Sequence, residues 1–356
     1  MLRLKKFGFA VLATALVSAV PAFAQDAAEG VVASGLDNPR HIVVFGETPV
    51  IYIVQAGAGG DEQVSGAFGT AMRGLTSGFT VITSSGDAVE VSGFPSNDEG
   101  GEVSGLSGIE VINDQVWVSG RDGAVASYVY ALDPASGEIV SQIDTLATET
   151  LLNPDGGQVD SNPVDLSWDS NNSILYIADS GANTVWKWTE AAGLEAFVTW
   201  PESENPVPTS VTATPDGSVY VGFLTGFPFP EGGSRVDHYG MDGALIESYD
   251  GFTAIVDLLF ANDTLYAVQF GHFDQGWQPN TGSVVDVFSG EVYAQNLNFP
   301  YGLTGSAVAP LMVTLNSAYV GAGAGVVINL SDAEAYSAMM SGEAMAEPMA
   351  TEEAGG

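Results

Sequence analysis

An all-β, six-bladed propeller of four-stranded blades is the fold class that this 356-residue sequence predicts. Three observations lead there: a two-strand unit that recurs six times, glycine-bearing hairpin turns between the copies, and one unpaired strand-like segment ahead of the first copy. The unit is a Pro or Gly, a few small or polar residues, a hydrophobic strand, a turn and an aromatic strand. It runs from 38–44 into 50–54, 107–111 into 116–118, and 162–166 into 174–178. The later copies run from 207–211 into 219–221, 254–260 into 265–268, and 299–303 into 311–313. With Tyr52, Trp117, Tyr176, Tyr220, Tyr266 and Met312 as anchors, the spacings are 65, 59, 44, 46 and 46. The last three lie close to the roughly 40–50-residue period of propeller blades. The two longer ones require insertions, for which the glycine-rich and polar stretches 56–78 and 153–160 are available.

A second pair of strands follows within each copy. Turns at Ser85-Gly86-Asp87, 134–137, 190–193, Asp242-Gly243 and Ser289-Gly290 separate alternating β-rich runs, which is the hairpin signature. After Val326-Val327-Ile328-Asn329-Leu330 the sixth copy lacks its outermost strand. Gly30-Val31-Val32-Ala33 is placed to supply it and to remove the open edge between last and first blades. A pair of two-sheet sandwiches would not explain this equal spacing.

The ends differ from the body, residues 25–330. Residues 1–24 read as a cleavable signal peptide: basic Arg3, Lys5 and Lys6, an apolar run from Phe7 to Val20 too short to span a bilayer, and an Ala22-Phe23-Ala24 cleavage site. The expected location is therefore the periplasm or the exterior. Residues 331–356 hold acids, alanines and methionines but few large apolar groups, so a disordered acidic tail is expected from 331 onward.

Charge narrows the partners. Asp and Glu number 44 against 8 Lys and Arg, a formal charge of −36. Nucleic acid and anionic lipid surfaces both demand basic patches, so neither is expected as a partner. The absence of cysteine excludes thiol catalysis, disulfides and iron–sulfur clusters. Removing the leader would leave five cations against all 44 acids. So many carboxylates make a solvated acidic surface. They also raise the prospect of hard-cation sites, for which Ca²⁺ is the obvious ion outside the cell, although no EF-hand-type loop occurs.

Certain runs carry a family resemblance. Val32-Ala33-Ser34-Gly35-Leu36-Asp37-Asn38-Pro39-Arg40, the stretch from Asn153-Pro154-Asp155 to Asn162-Pro163, and the stretch from Val207-Pro208-Thr209-Ser210-Val211 to Thr225-Gly226-Phe227-Pro228-Phe229-Pro230 together resemble the ScyD/ScyE family. These are exported propeller proteins first associated with gene clusters for the indolic pigment scytonemin. The likeness covers about residues 30 to 330. It implies a six-bladed NHL- or TolB-like propeller outside the cytoplasm and no settled catalytic activity. His41 departs from the family pattern, where Gly is usual after Pro-Arg.

Six-bladed propellers gather polar residues from the starts of their inner strands around one end of a central channel. The equivalent places here hold Arg40, Ser107, Val164, Thr209, Val256 and Tyr301. Metal-dependent propeller lactonases use carboxylates and an amide there, and this row has neither. Asp165 and Asp257 lie one residue further on and Asn162 just before, so a divalent ion on Asn162, Asp165 and Asp257 defines the hydrolase reading. No G-x-S-x-G elbow is present, and the only histidines are His41, His238 and His272. His41 falls near the channel mouth and His272 in a long loop beside Phe273 and Trp277. Phe227 and Phe229, stiffened by Pro228 and Pro230, suit contact with a flat ligand or a partner surface. The leading expectation is a monomeric binding scaffold for a small molecule or a protein, without catalytic residues. Arg40 would contact an anion, Tyr301 and Phe227 would give apolar contacts, and Asn162 and Asp257 would orient the ligand.

Overall fold

A computed structural model describes residues 16–19, 30–66 and 69–341. Among them, six antiparallel sheets form the blades of a closed propeller. The second, third, fourth and fifth blades each use four consecutive strands, running inner to outer in chain order. In the sixth, Leu303–Ser306, Ala309–Leu315 and Gly325–Asn329 are joined by the N-terminal strand Val31–Leu36, with Ala33 opposite Val327 and Ser34 opposite Val326. The expected closure by 30–33 is therefore present and extends to Leu36.

The apolar pattern of the strands follows from burial on both faces. Leu175, Tyr176, Ile177 and Ala178 are all buried, but in opposite directions. Leu175 and Ile177 pack with Trp117 and Trp186 against the second blade, whereas Tyr176 and Ala178 pack with Val221 and Phe223 of the fourth. Two-sided burial is why such strands read as unbroken hydrophobic runs. Six apolar clusters result, one per blade interface. The cluster between sixth and first blades, with Ala33, Leu36 and Val327 against Ile42 and Ile53, has the same make-up as the others. Outer strands such as Leu245–Phe252 face water.

Both insertions have structure. The first lengthens the outer hairpin of blade one, Thr70–Ile82 with Ala88–Glu99, and adds short strands Glu62–Ser65 and Glu102–Ser104. Arg73 ties this extension to the second blade through two 2.7 Å hydrogen bonds to Asp122. The second insertion follows a helix, Thr145–Leu152, that was not expected from the sequence. Its first turn is capped by Asp144, whose carboxylate accepts from the Ala147 N–H at 2.8 Å.

The ends carry two elements that the sequence did not announce. Leu16–Ala19, inside the segment read as a leader, pairs with 89–92 at the outer edge of blade one. The remainder of that segment and its cleavage site lie outside the described residues. In place of a disordered tail from 331, Leu330–Asp332 forms a 3₁₀ turn and Ala333–Ser341 a helix. Ala333 is fully buried and Tyr336 packs on the cluster between blades five and six, which supplies the apolar contact that composition alone concealed. Residues 342–356 lie outside the described residues. No helix among the described residues is long and apolar enough to cross a membrane.

Candidate functional site

Proline marks the channel end of the inner strands: Pro39, Pro163 and Pro208 are first residues of theirs, and Pro300 stands shortly before another. Lacking an N–H, proline is tolerated at a strand start and not in its paired interior. The next residue in each blade lines one cavity of about 240 Å³, and all six of Arg40, Ser107, Val164, Thr209, Val256 and Tyr301 are in its wall. Leu224, Phe270, Trp277 and Tyr319 make the apolar side, and Glu102, Asn162 and Ser180 add polar groups.

Arg40 is the one lysine or arginine in the cavity wall. It is buried, donates from Nη2 to the Val103 carbonyl at 2.7 Å, and sits with its guanidinium carbon 4.8 Å from the centre of the Tyr301 ring. Among the described residues Arg73, Arg121, Lys187 and Arg235 each pair with a carboxylate. Arg40 is the one described lysine or arginine with no carboxylate in ion-pair range. Burial pushes the Tyr301 phenol up from its ordinary pKa, and the Arg40 charge opposes the shift.

One residue further along, the six blades contribute His41, Gly108, Asp165, Ser210, Asp257 and Gly302, so large polar and small residues alternate around the ring. Although they come from blades one, three and five, ligand atoms of His41, Asp165 and Asp257 all lie within 4.8 Å of one another, which places them on the propeller axis. His41 Nε2 is 3.5 Å from Oδ1 of each aspartate. The carboxylates are held from behind. Asp165 accepts from the Leu166 N–H at 2.7 Å and the Val211 N–H at 2.8 Å; Asp257 accepts from Leu258 at 2.8 Å and Leu303 at 2.6 Å. Each aspartate thereby stitches its own strand to the inner strand of the next blade. Burial pushes both carboxyls above the usual carboxylate range, with His41 opposing.

Two consecutive residues of a regular strand point to opposite faces, so a strand should offer the channel only one of them. The inner strands solve this with bulges. Register slips between Pro39 and Ile42, Pro163 and Asp165, Pro208 and Ser210, and Ile255 and Asp257. A bulge re-aims a side chain locally, which lets one row line the cavity and the next meet beneath it.

The structure thus sorts the expected residues. Arg40, Asn162 and Tyr301 lie in the cavity wall. Asn162 is occupied there, donating from Nδ2 to Ser180 Oγ at 3.0 Å, and it is not part of the axial cluster. Asp165 and Asp257 meet as the metal reading required, but the third member is His41. Phe227 is 77% exposed and lies outside the cavity wall, in edge contact with Phe229 and Phe273. Those rings in turn touch Trp277, which does reach the cavity. His238 stacks on Tyr220 at 4.1 Å, and His272 faces Glu231 at 3.9 Å, both away from the cavity wall. Phe270, Trp277 and Tyr319 escaped the sequence reading. Only Trp277 carried a signal, as an aromatic in a long loop.

No protein-family model and no curated protein matches the chain. Solved structures do. A putative oxidoreductase (glucose dehydrogenase) from Thermus thermophilus is 12% identical with a TM-score of 0.52, covering 88% of this chain and 99% of its own. A protein of unknown function from Bacteroides thetaiotaomicron is 14% identical, also at 0.52, covering 87% and 74%. A streptogramin B lyase is 13% identical with a TM-score of 0.48, covering 88% and 97%. At such identities the likeness speaks to architecture alone. What the chain shares with the first two is the propeller fold.

Proposed function

We propose that this protein is a binding propeller whose ligand is a small anion with a flat apolar body, held in the cavity at the channel mouth. The observation that carries the reading is Arg40. In a chain where acids outnumber bases 44 to 8, a buried guanidinium has no carboxylate partner among the described residues and borders a cavity. A buried charge is costly until it is paired, so an entering carboxylate or similar anion recovers what the fold leaves unsatisfied. Tyr301, Phe270, Trp277 and Tyr319 suit a planar body, and a volume just under the roughly 300–1,000 Å³ of drug-sized sites suits a small one. Export and kinship with ScyD/ScyE proteins belong to the same proposal, since a propeller outside the cytoplasm with no settled catalytic activity is what that resemblance implies.

Thermal-shift screening of aromatic carboxylates beside their uncharged amides, followed by calorimetric titration, tests this. Acids are expected to bind in preference to amides. Arg40→Gln is expected to weaken the best acid at least about thirtyfold, the lower bound for truncating a buried charged hydrogen bond. Equal binding of acids and amides, or full affinity in Arg40→Gln, would overturn the assignment.

A further inference from the structure

The imidazole of His41 is held from one side. Its Nδ1 lies 3.1 Å from the carbonyl oxygen of Ser107, and a carbonyl only accepts, so Nδ1 carries the hydrogen. Nε2, on the opposite side of the ring, is buried, has no hydrogen-bond partner, and points at two carboxylate oxygens. An imidazole nitrogen and two carboxylate oxygens, buried together, make a three-atom cluster that a cation would satisfy. At 3.5 Å, the two nitrogen–oxygen separations are long for hydrogen bonds. The three ligand atoms lie within 4.8 Å of one another, close enough for one ion to draw them together.

We propose that His41, Asp165 and Asp257 bind a divalent first-row transition ion, zinc in the first instance, on the propeller axis beneath the ligand cavity. The surrounding contacts are those that such ligands need. The Nδ1–H of His41 is tied to a backbone carbonyl, and each carboxylate is oriented by two backbone N–H groups. Three protein donors leave a fourth position for water or another ligand atom. The nitrogen donor directs the site away from Ca²⁺, which takes six to eight oxygens, and toward the borderline ions that imidazole suits. Small residues at Gly108, Ser210 and Gly302 keep the alternate places around the axis clear of further side-chain bulk. None of this depends on the ligand reading, which rests on Arg40.

The test is titration of untagged, chelator-stripped protein in 0.15 M NaCl with Zn²⁺, Co²⁺, Ca²⁺ and Mg²⁺, followed by calorimetry and, for Co²⁺, visible absorption. One equivalent of Zn²⁺ or Co²⁺ is expected to bind, with the strong d–d bands of four-coordinate cobalt, while Ca²⁺ and Mg²⁺ do not compete. Asp257→Asn and His41→Ala are each expected to weaken Zn²⁺ at least about a hundredfold, more than the loss of an outer-shell partner. Should either variant fail to fold, X-ray absorption at the zinc edge of the wild-type protein still decides, by showing or lacking one imidazole among light-atom ligands. Failure to bind a stoichiometric ion would overturn the proposal. Unchanged affinity in folded Asp257→Asn and His41→Ala would also overturn it, by moving the ion to the acidic surface.

Discussion

Glu149 shows what a single buried side chain does to this molecule. It is fully buried on the helix Thr145–Leu152, and neither carboxylate oxygen has a hydrogen-bond partner. Burial first, then the nearby charges of Asp155, Asp179 and Asp160, push its pKa up to about 7. The folded state therefore holds this proton more tightly than the unfolded chain, where a glutamate titrates near 4.3. The contribution to stability is present at low pH and is lost as pH rises through about 7. Glu149→Gln is accordingly expected to raise the melting temperature by a few degrees at pH 8, change it little at pH 4, and flatten the slope between. Melts at both pH values check this. Gly302 sets a steric limit instead. A Cβ there would stand 2.6 Å from the Arg40 carbonyl oxygen and 2.7 Å from His41 Cα, backbone atoms that cannot swing aside. Gly302→Ala should cost about 1–3 kcal/mol in urea denaturation, as overpacking does. Gly276→Ala, where a Cβ meets nothing within 4 Å, is the matched control.

At the level of elements, the N-terminal strand carries the most consequence per residue. Val31–Leu36 pairs with Gly325–Asn329, and Ala33 and Leu36 are each 1% exposed. Deleting residues 1–37 would uncover a row of unpaired backbone groups and half of the cluster that joins blades six and one. The expected result on size-exclusion chromatography is a shift from a discrete species to larger assemblies, with a lower melting temperature. An unchanged elution volume and melt would show that the ring does not need this clasp. Elements also differ in how plainly the sequence announced them. Tyr176 and its neighbours were legible because burial on both faces enforces a continuous apolar run. The helix Thr145–Leu152 was not, because its buried residues are Thr145 and Glu149, neither of which looks like core. The helix Ala333–Ser341 was missed for a related reason: its buried face begins with Ala333, too small to register as an apolar anchor.

For the molecule as a whole, the formal charge of −36 opposes compaction at low ionic strength. Ions shorten the range of this repulsion to about 10 Å at 0.1 M and about 3 Å at 1 M. The melting temperature is therefore expected to climb between 0.01 and 0.5 M NaCl, and KCl should reproduce the rise. That response is separable from specific ion binding, which would saturate at one equivalent. A melting temperature indifferent to salt would mean that the carboxylates are spaced widely enough around the blades for their repulsion to be negligible.

The sequence by itself determined the fold class, the blade count, the N-terminal clasp and the row Arg40, Ser107, Val164, Thr209, Val256, Tyr301, because repeat period and hairpin turns are local properties of the chain. It also contained Asp165 and Asp257 one place beyond that row. It could not say that both rows serve the channel, since that depends on bulges at the inner-strand starts, and bulges arise from how a strand is paired. Nor could it choose His41 over Asn162 as their companion. Only closure of the ring brings side chains from the first, third and fifth blades within 4.8 Å of each other on the axis. Proximity across a closed ring is a property of the tertiary fold, and no spacing along the chain encodes it.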